Sequence, residues 1–357
     1  MTGCEPSSPR TVRIFCRKDK EVKMKTKATL ALASLIAAPA YANVEMPHIY
    51  GRADVSINST EEAGSDSAIQ TNSNASRLGF HNTHALTDSL DVFYRLEYEV
   101  NFDERLRSED RDMLRQRNSI VGLKGTWGSV FVGVHDTPFK KAELKVDQFS
   151  DYHLADIDEV IGGQDRISDT INYMSPKFGN LQFWAMLIPG DDEATAPGTD
   201  SGGGADGSQG DGLADAVSAS VTYKHDKFQL AFAINSEIDA RDSFRLSGQT
   251  KLGMFQLGAL IQQSENSDGS GTDGVAYVLS GAMNITSQTK LKLQWASADE
   301  DSVEASPGSD LLVAGVDHKL AKTTKVYAYY SDRSNDVEAE EFSTIGVGIQ
   351  HNFGQAK

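Results

Sequence analysis

No run of eighteen apolar residues occurs anywhere in the chain, which excludes a membrane-spanning helix. Cysteine is nearly absent, with copies only at Cys4 and Cys16, and there are nine prolines in 357 residues. Basic residues are outnumbered, 34 Lys and Arg against 51 Asp and Glu, for a net charge of −17. Such a balance speaks against nucleic acid as a partner, because that recognition needs a basic face. The eight histidines, among them His81, His84 and His135, show no metal-ligand spacing, and no cofactor is implied. Average composition alone would place the chain among soluble proteins. A β-barrel escapes that test, because it commits only alternate residues to lipid.

The first 42 residues read as processing rather than structure. From Met24 the sequence is MKTKATLALASLIAAPAYA. Lys25 and Lys27 form a positive start, Ala28 to Ala38 an apolar stretch, and Ala40-Tyr41-Ala42 a small-x-small cleavage site. That order marks a secretory signal peptide over 24–42, so residues 1–23 are expected to be an extension from a mis-assigned start. The mature chain then begins at Asn43. It lacks both cysteines and must be stable without disulfides, unlike small secreted domains. Setting aside the eight basic and three acidic residues of 1–42 leaves 26 basic against 48 acidic, a net charge of −22.

From there the sequence alternates in short bursts. In HIYGRADVSIN, Ile49, Gly51, Ala53, Val55 and Ile57 share one face, and Tyr50, Arg52, Asp54 and Ser56 the other. In LDVFYRLEYEVN, Val92, Tyr94, Leu96, Tyr98 and Val100 oppose Phe93, Arg95, Glu97 and Glu99. A helix would scatter those charges around its cylinder, whereas a strand gathers them on one side. Sixteen such bursts begin near 48, 76, 90, 115, 128, 168, 180, 216, 227, 244, 254, 274, 289, 309, 324 and 342. Short turns such as KGTWGS (124–129), PKFGN (176–180) and KLGMF (251–255) alternate with long polar loops at 59–75 and 191–212. An even number of strands with short turns on one rim and long loops on the other is the pattern of an outer-membrane barrel. A soluble β-sandwich also alternates, but sixteen strands would need two domains, and no linker divides the chain. The all-β reading is therefore a single 16-stranded antiparallel transmembrane barrel over 43–353, with a short extension at 354–357.

One connection differs. TPFKKAELKVDQFSDYHLADIDEVIGGQDRI, at 137–167, is rich in large apolar residues: Phe139, Leu144, Val146, Phe149, Tyr152, Leu154, Ile157, Val160 and Ile161 among them. So apolar a loop is suited to fold back against the barrel interior as a long inward third loop. Connections of this length usually serve a function.

Five stretches, in order behind a signal peptide, resemble the general diffusion porins of Gram-negative outer membranes: IYGRADVSI (49–57), SRLGFHNTHAL (76–86), RNSIVGLKGTWGSVFVGVHDTP (117–138), DTINYMSPKFGNLQF (169–183) and GVGIQHNF (346–353). The resemblance runs from Asn43 to Phe353. It implies a water-filled channel for ions and small hydrophilic solutes, a homotrimer in the cell outer membrane, and lipopolysaccharide as a neighbour. It also implies that the barrel-assembly machinery reads the terminal strand, with Gly348, His351 and Phe353 as the signal. By motif, pore-lining arginines are expected at Arg77, Arg117 and Arg166, extended by Arg52 and Arg95. Acids on the inward loop, Asp147, Asp151, Asp156, Asp158 and Glu159, are expected opposite them, with Gln148 where the family commonly has an acid. Opposed rows of charge across a narrow gap bias which ions enter. The acidic total predicts weak to moderate cation preference, and the arginines act locally the other way.

Other readings remain at this point. A strand arginine can snorkel to a rim instead of lining a lumen. A sugar-selective or anion-selective porin would use the same barrel, although most aromatics fall on the lipid side by alternation, where a sugar slide would need them inside. A barrel enzyme needs a nucleophile–base pair, which HNTH and scattered serines do not supply. An adhesive barrel would conduct no ions. The run 104–117 reads as a solvated loop, and DSGGGADGSQGDG lacks the glutamate and spacing of a calcium loop.

Overall fold

In a computed structural model of the chain, residues 46–103, 114–190, 212–269, 273–299, 306–337 and 340–354 are described. The expected signal peptide, the loop at 191–211 and most of 104–117 lie outside them. The first strand segments are β1 (His48–Glu62), β2 (Ala68–Ser73), β3 (Arg77–Thr87), β4 (Leu90–Val100), β5 (Leu114–Gln116), β6 (Ser119–Gly125) and β7 (Gly128–Asp136). After the helical turn α1 (Pro138–Lys141) come β8 (Arg166–Met174), β9 (Leu181–Ile188), β10 (Ala216–Lys224), β11 (Phe228–Ile238) and β12 (Arg241–Leu252). The chain continues through β13 (Phe255–Asn266), β14 (Gly274–Asn284), β15 (Thr289–Ala298), β16 (Ser309–Lys319), β17 (Thr324–Asn335) and β18 (Phe342–Phe353).

Each segment pairs antiparallel with its neighbours, and β18 returns to β1, from Gly51 opposite Phe353 to Glu62 opposite Phe342. Segments β2 and β3 both lie along β1, and β5 and β6 both lie along β4. Each pair is one stave with a break, so eighteen segments make sixteen staves of a closed barrel. The first break is at Ala75, held at φ 47°. Closure leaves no unpaired edge.

The two faces are inverted relative to a soluble protein. Along β15, Leu293 and Trp295 are exposed, while Lys292 is 5% and Gln294 0% exposed. Along β12, Phe244 and Leu246 are exposed and Arg245 is fully buried. Apolar side chains that point outward from a closed barrel require lipid around them. A sandwich would hide those same residues.

The core sits inside the barrel. Phe149, Tyr152, Ile157, Val160 and Ile161 of the segment between β7 and β8 cluster with Leu260, Val278, Leu311, Val313 and Tyr329 from the inward-facing positions of β13–β17. Two glycines make room for it. A Cβ on Gly315 would stand 2.8 Å from the Phe149 ring, and one on Gly258 would stand 3.0 Å from the Val146 Cα.

One element departs from the sequence reading. Residues 59–75 were expected to form a polar loop, yet β1 runs on to Glu62 and turns at 63–67, and β2 pairs back from Thr60 opposite Ala68. Both faces of this hairpin are polar, so it carries no alternation to betray the pairing. Backbone hydrogen bonds form all the same.

Candidate functional site

The segment from Thr137 to Asp165 starts from a capped turn, with Thr137 Oγ1 accepting from the Lys140 N–H at 3.0 Å. Arg245 on β12 then fastens both ends of the segment. Its guanidinium donates to the Phe139 carbonyl at 3.2 Å and to the Gly162 carbonyl at 3.0 Å, and lies 4.2 Å from the Phe139 ring centre. Gln262 on β13 accepts from Arg245 and also donates to the Gly162 carbonyl. Further along, the Gln148 N–H donates to Gln294 at 2.8 Å, and Lys292 donates to the Gln148 carbonyl at 2.9 Å. Tyr329 and Ser331 donate to the carbonyls of His153 and Leu154. Every one of these wall partners occupies an inward-facing strand position, so the segment lies against the polar inner wall.

At its tip, Asp151 meets two arginines of the opposite wall. Arg52 donates to its Oδ2 at 2.5 Å and Arg77 at 3.0 Å. The two guanidiniums also share the Ala75 carbonyl, so the break in the second stave gives them a common acceptor. Burial would raise the Asp151 carboxyl, but Arg52 and Arg77 hold it down at about 2. The Asp151 N–H donates to Asp156, which also caps the short 3₁₀ turn Ile157–Glu159.

Arg117 and Arg166 are satisfied by acids that are not on this segment. Arg117 donates to Glu97 at 3.0 Å and to Glu99 at 2.8 Å, and Tyr50 donates to Glu97 at 2.7 Å. Arg166 pairs with Asp136 at 2.9 Å, which Lys141 also contacts. Sequence reasoning placed Glu97 and Glu99 on the polar face of their strand but did not assign them as partners. Their signal was the alternation with Arg95, while Asp136, at a strand end, had none.

Of the five loop acids expected opposite the arginines, only Asp151 touches the cluster. Asp147 is a correction. It is buried and accepts the N–H groups of Phe149 and Ile157, so it ties its own segment together instead of facing the wall. Burial, with Asp156 and Glu143 nearby, pushes its carboxyl well up. Glu159 lies 3.7 Å from Arg333 on β17, away from the arginine row. Asp158 is exposed. Strand aromatics such as Phe183, Phe232, Phe244 and Trp295 are exposed on the outer face as the alternation predicts, while Phe131, Tyr327 and Tyr329 are buried inward-facing residues. Tyr152 stacks on Tyr327 with centroids 4.1 Å apart, so these rings support the segment from beneath and do not form an open slide.

Between the segment and the wall lies a polar cavity of about 870 Å³. Arg95, Arg117 and Arg166 line it on the strand side, and Glu143, Asp156 and Asp158 on the segment side. Burial together with Asp156 raises Glu143 to about 7, and burial together with Asp239 raises Asp165 to about 7. The cavity therefore faces fixed cations with carboxylates, some of which titrate near neutrality. Such an arrangement orients and sorts small charged and polar solutes.

At the closing strand, Gly348 lies under the Tyr327 ring, where a Cβ would stand 2.3 Å from the ring. His351 Nδ1 lies 2.8 Å from Thr324 Oγ1, and Phe353 is partly exposed opposite Gly51.

A family model described as Gram-negative porin matches residues 28–338. A monosaccharide porin from Halomonas sp is 24% identical over 146 residues, 38% of this chain and 39% of that protein. A chitoporin from Vibrio furnissii is 30% identical over 219 residues, 58% of this chain and 56% of that protein. The chain thus spans between two fifths and somewhat over half of the length of these relatives. Among solved structures, an anion-selective porin from Comamonas acidovorans superimposes with a TM-score of 0.71 at 20% identity, covering 86% of this chain and 99% of its own. The trimer form of the outer-membrane protein OmpT of Vibrio cholerae does so at 0.58 and 15% identity, covering 86% and 99%.

Proposed function

The chain belongs to the Gram-negative porin family, and we propose that it forms a water-filled outer-membrane channel for passive diffusion of ions and small hydrophilic solutes. The observation that carries this reading is the charged cavity of about 870 Å³ inside a barrel whose outer face is apolar. In this reading Arg77, Arg117 and Arg166, with Arg52 and Arg95, form the basic side of the constriction. Asp151, Asp156, Asp158 and Glu143 form the acidic side, and Asp151 fixes where the segment stops. Mixed charge in the gap, and not one sign, favours small polar solutes of either charge over apolar ones. The mature chain starts at Asn43, assembles as a homotrimer among lipopolysaccharide, and is inserted by the barrel-assembly machinery through the strand ending at Phe353.

The test is to refold Asn43–Lys357 and record single channels in a planar bilayer under a salt gradient. Large, mostly open steps, grouped in threes, are expected, with a reversal potential that gives the preferred ion. A folded barrel that passes no current would overturn the proposal and favour an enzyme or adhesin.

A further inference from the structure

The inner wall between the constriction and the short-turn rim carries a second recess of about 460 Å³, set among β3, β4, β6, β7, the end of β8 and the start of β9. Its composition is unusual for a lumen. Phe93, Ile120, Phe131 and Met174 give it an apolar floor, and its lining holds two cations, Arg95 and Lys124, and no carboxylate. The absence of acids stands out in a chain where acids outnumber bases.

Arg52, Arg77, Arg117 and Arg166 each have a carboxylate within 3.0 Å. The Arg95 side chain forms no hydrogen bond or ion pair among the described residues, and it lines both this recess and the constriction cavity. A solute leaving the constriction toward the turns therefore meets a guanidinium with its donors unspent, beside an apolar wall.

We infer that this recess binds small organic carboxylates that carry a flat apolar ring, and so gives the channel a preferred class of solute. The carboxylate takes the planar fork of Arg95, which matches it in two parallel hydrogen bonds. The ring covers Phe93 and Ile120 and releases the water held against them. A simple anion gains only the first contact and a neutral ring only the second, so neither binds as well as the two joined. The inference rests on the lumen being water-filled, as proposed above.

Benzoate is the probe, with acetate and benzyl alcohol as its two halves, each added to the bilayer bath while single-channel current is recorded. Millimolar benzoate is expected to reduce the open current with saturation, and acetate and benzyl alcohol at the same concentration to leave it near its starting level. In Arg95→Gln the half-saturating concentration should rise by about tenfold or more, and Phe93→Ser should raise it as well, each measured against that variant's own open current. Equal action by acetate and benzoate, or unchanged half-saturation in both variants, overturns the inference. A channel that conducts but ignores benzoate defeats only this inference, whereas a folded barrel without current defeats the porin reading itself.

Discussion

Asp151 holds a left-handed backbone conformation, φ 68°, which a non-glycine residue keeps only when its surroundings insist. Two arginines and the Asp156 carboxylate do so here. With its carboxyl near 2, below the usual aspartate value of about 4, Asp151 stabilises the fold above about pH 4, and that contribution is lost as pH falls through about 2. Asp151→Asn should cost about 1–3 kcal/mol and shift the reversal potential toward anions, because Arg52 and Arg77 lose their counter-charge. An unchanged reversal potential would place them outside the ion path. Glu143 works in the opposite sense. Held up at about 7, it is largely neutral in acid and gains its charge as pH rises through neutrality. Cation preference should therefore climb with a midpoint near 7, and Glu143→Gln should flatten that climb, leaving the part that Asp165 supplies. At this scale strand alternation marked Arg52 and Arg95 as polar-face residues, whereas Arg77, Arg117 and Arg166 were singled out by the motifs of the family resemblance. The fate of Asp147 was not legible, because whether a loop carboxylate faces water or its own backbone is set by turn geometry that spacing does not carry.

At the scale of elements, the segment 137–165 is held by a few specific fittings rather than by its own secondary structure, which amounts to one helical turn and one 3₁₀ turn. Its apolar content revealed that it must pack against something, and the wall residues that receive it were hidden in the opposite half of the chain. Arg245→Met removes the donor to the Phe139 and Gly162 carbonyls. A buried carbonyl without a partner costs about 1–3 kcal/mol, so the segment should loosen at both ends. Noisier open current and closure at lower voltage would register this. Gly315→Leu should act from the other side by displacing Phe149, since overpacking costs about 1–3 kcal/mol. A conductance unchanged in both variants would mean that the segment does not set the constriction. The hairpin 59–73 shows the limit of pattern reading. Strand signals come from the contrast between faces, and a strand that leaves the membrane with polar residues on both sides has none.

For the molecule as a whole, the barrel was legible almost strand by strand, because each stave must set an apolar face toward lipid and a polar face inward, and period two records that demand directly. The barrel strands hold no cysteine, and their stability follows from the same design. Each strand between the two closing ones is hydrogen-bonded on both sides, and twelve residue pairs join β1 to β18. Deleting residues 342–353 should abolish the compact, heat-modifiable form on gels and leave aggregate, since the edges of β1 and β17 would stand open. Normal migration of that shortened chain would show that the barrel closes without its last strand.

The pairing of first strand with last has a consequence for quality control. A protein whose parts fold one after another can be nearly right when nearly finished. Here the join that closes the ring uses residues 342–353, so a chain cut anywhere before them presents two sticky edges where the closed ring presents none. Completeness is thus converted into a difference of shape, between a ring without free edges and a ribbon with two.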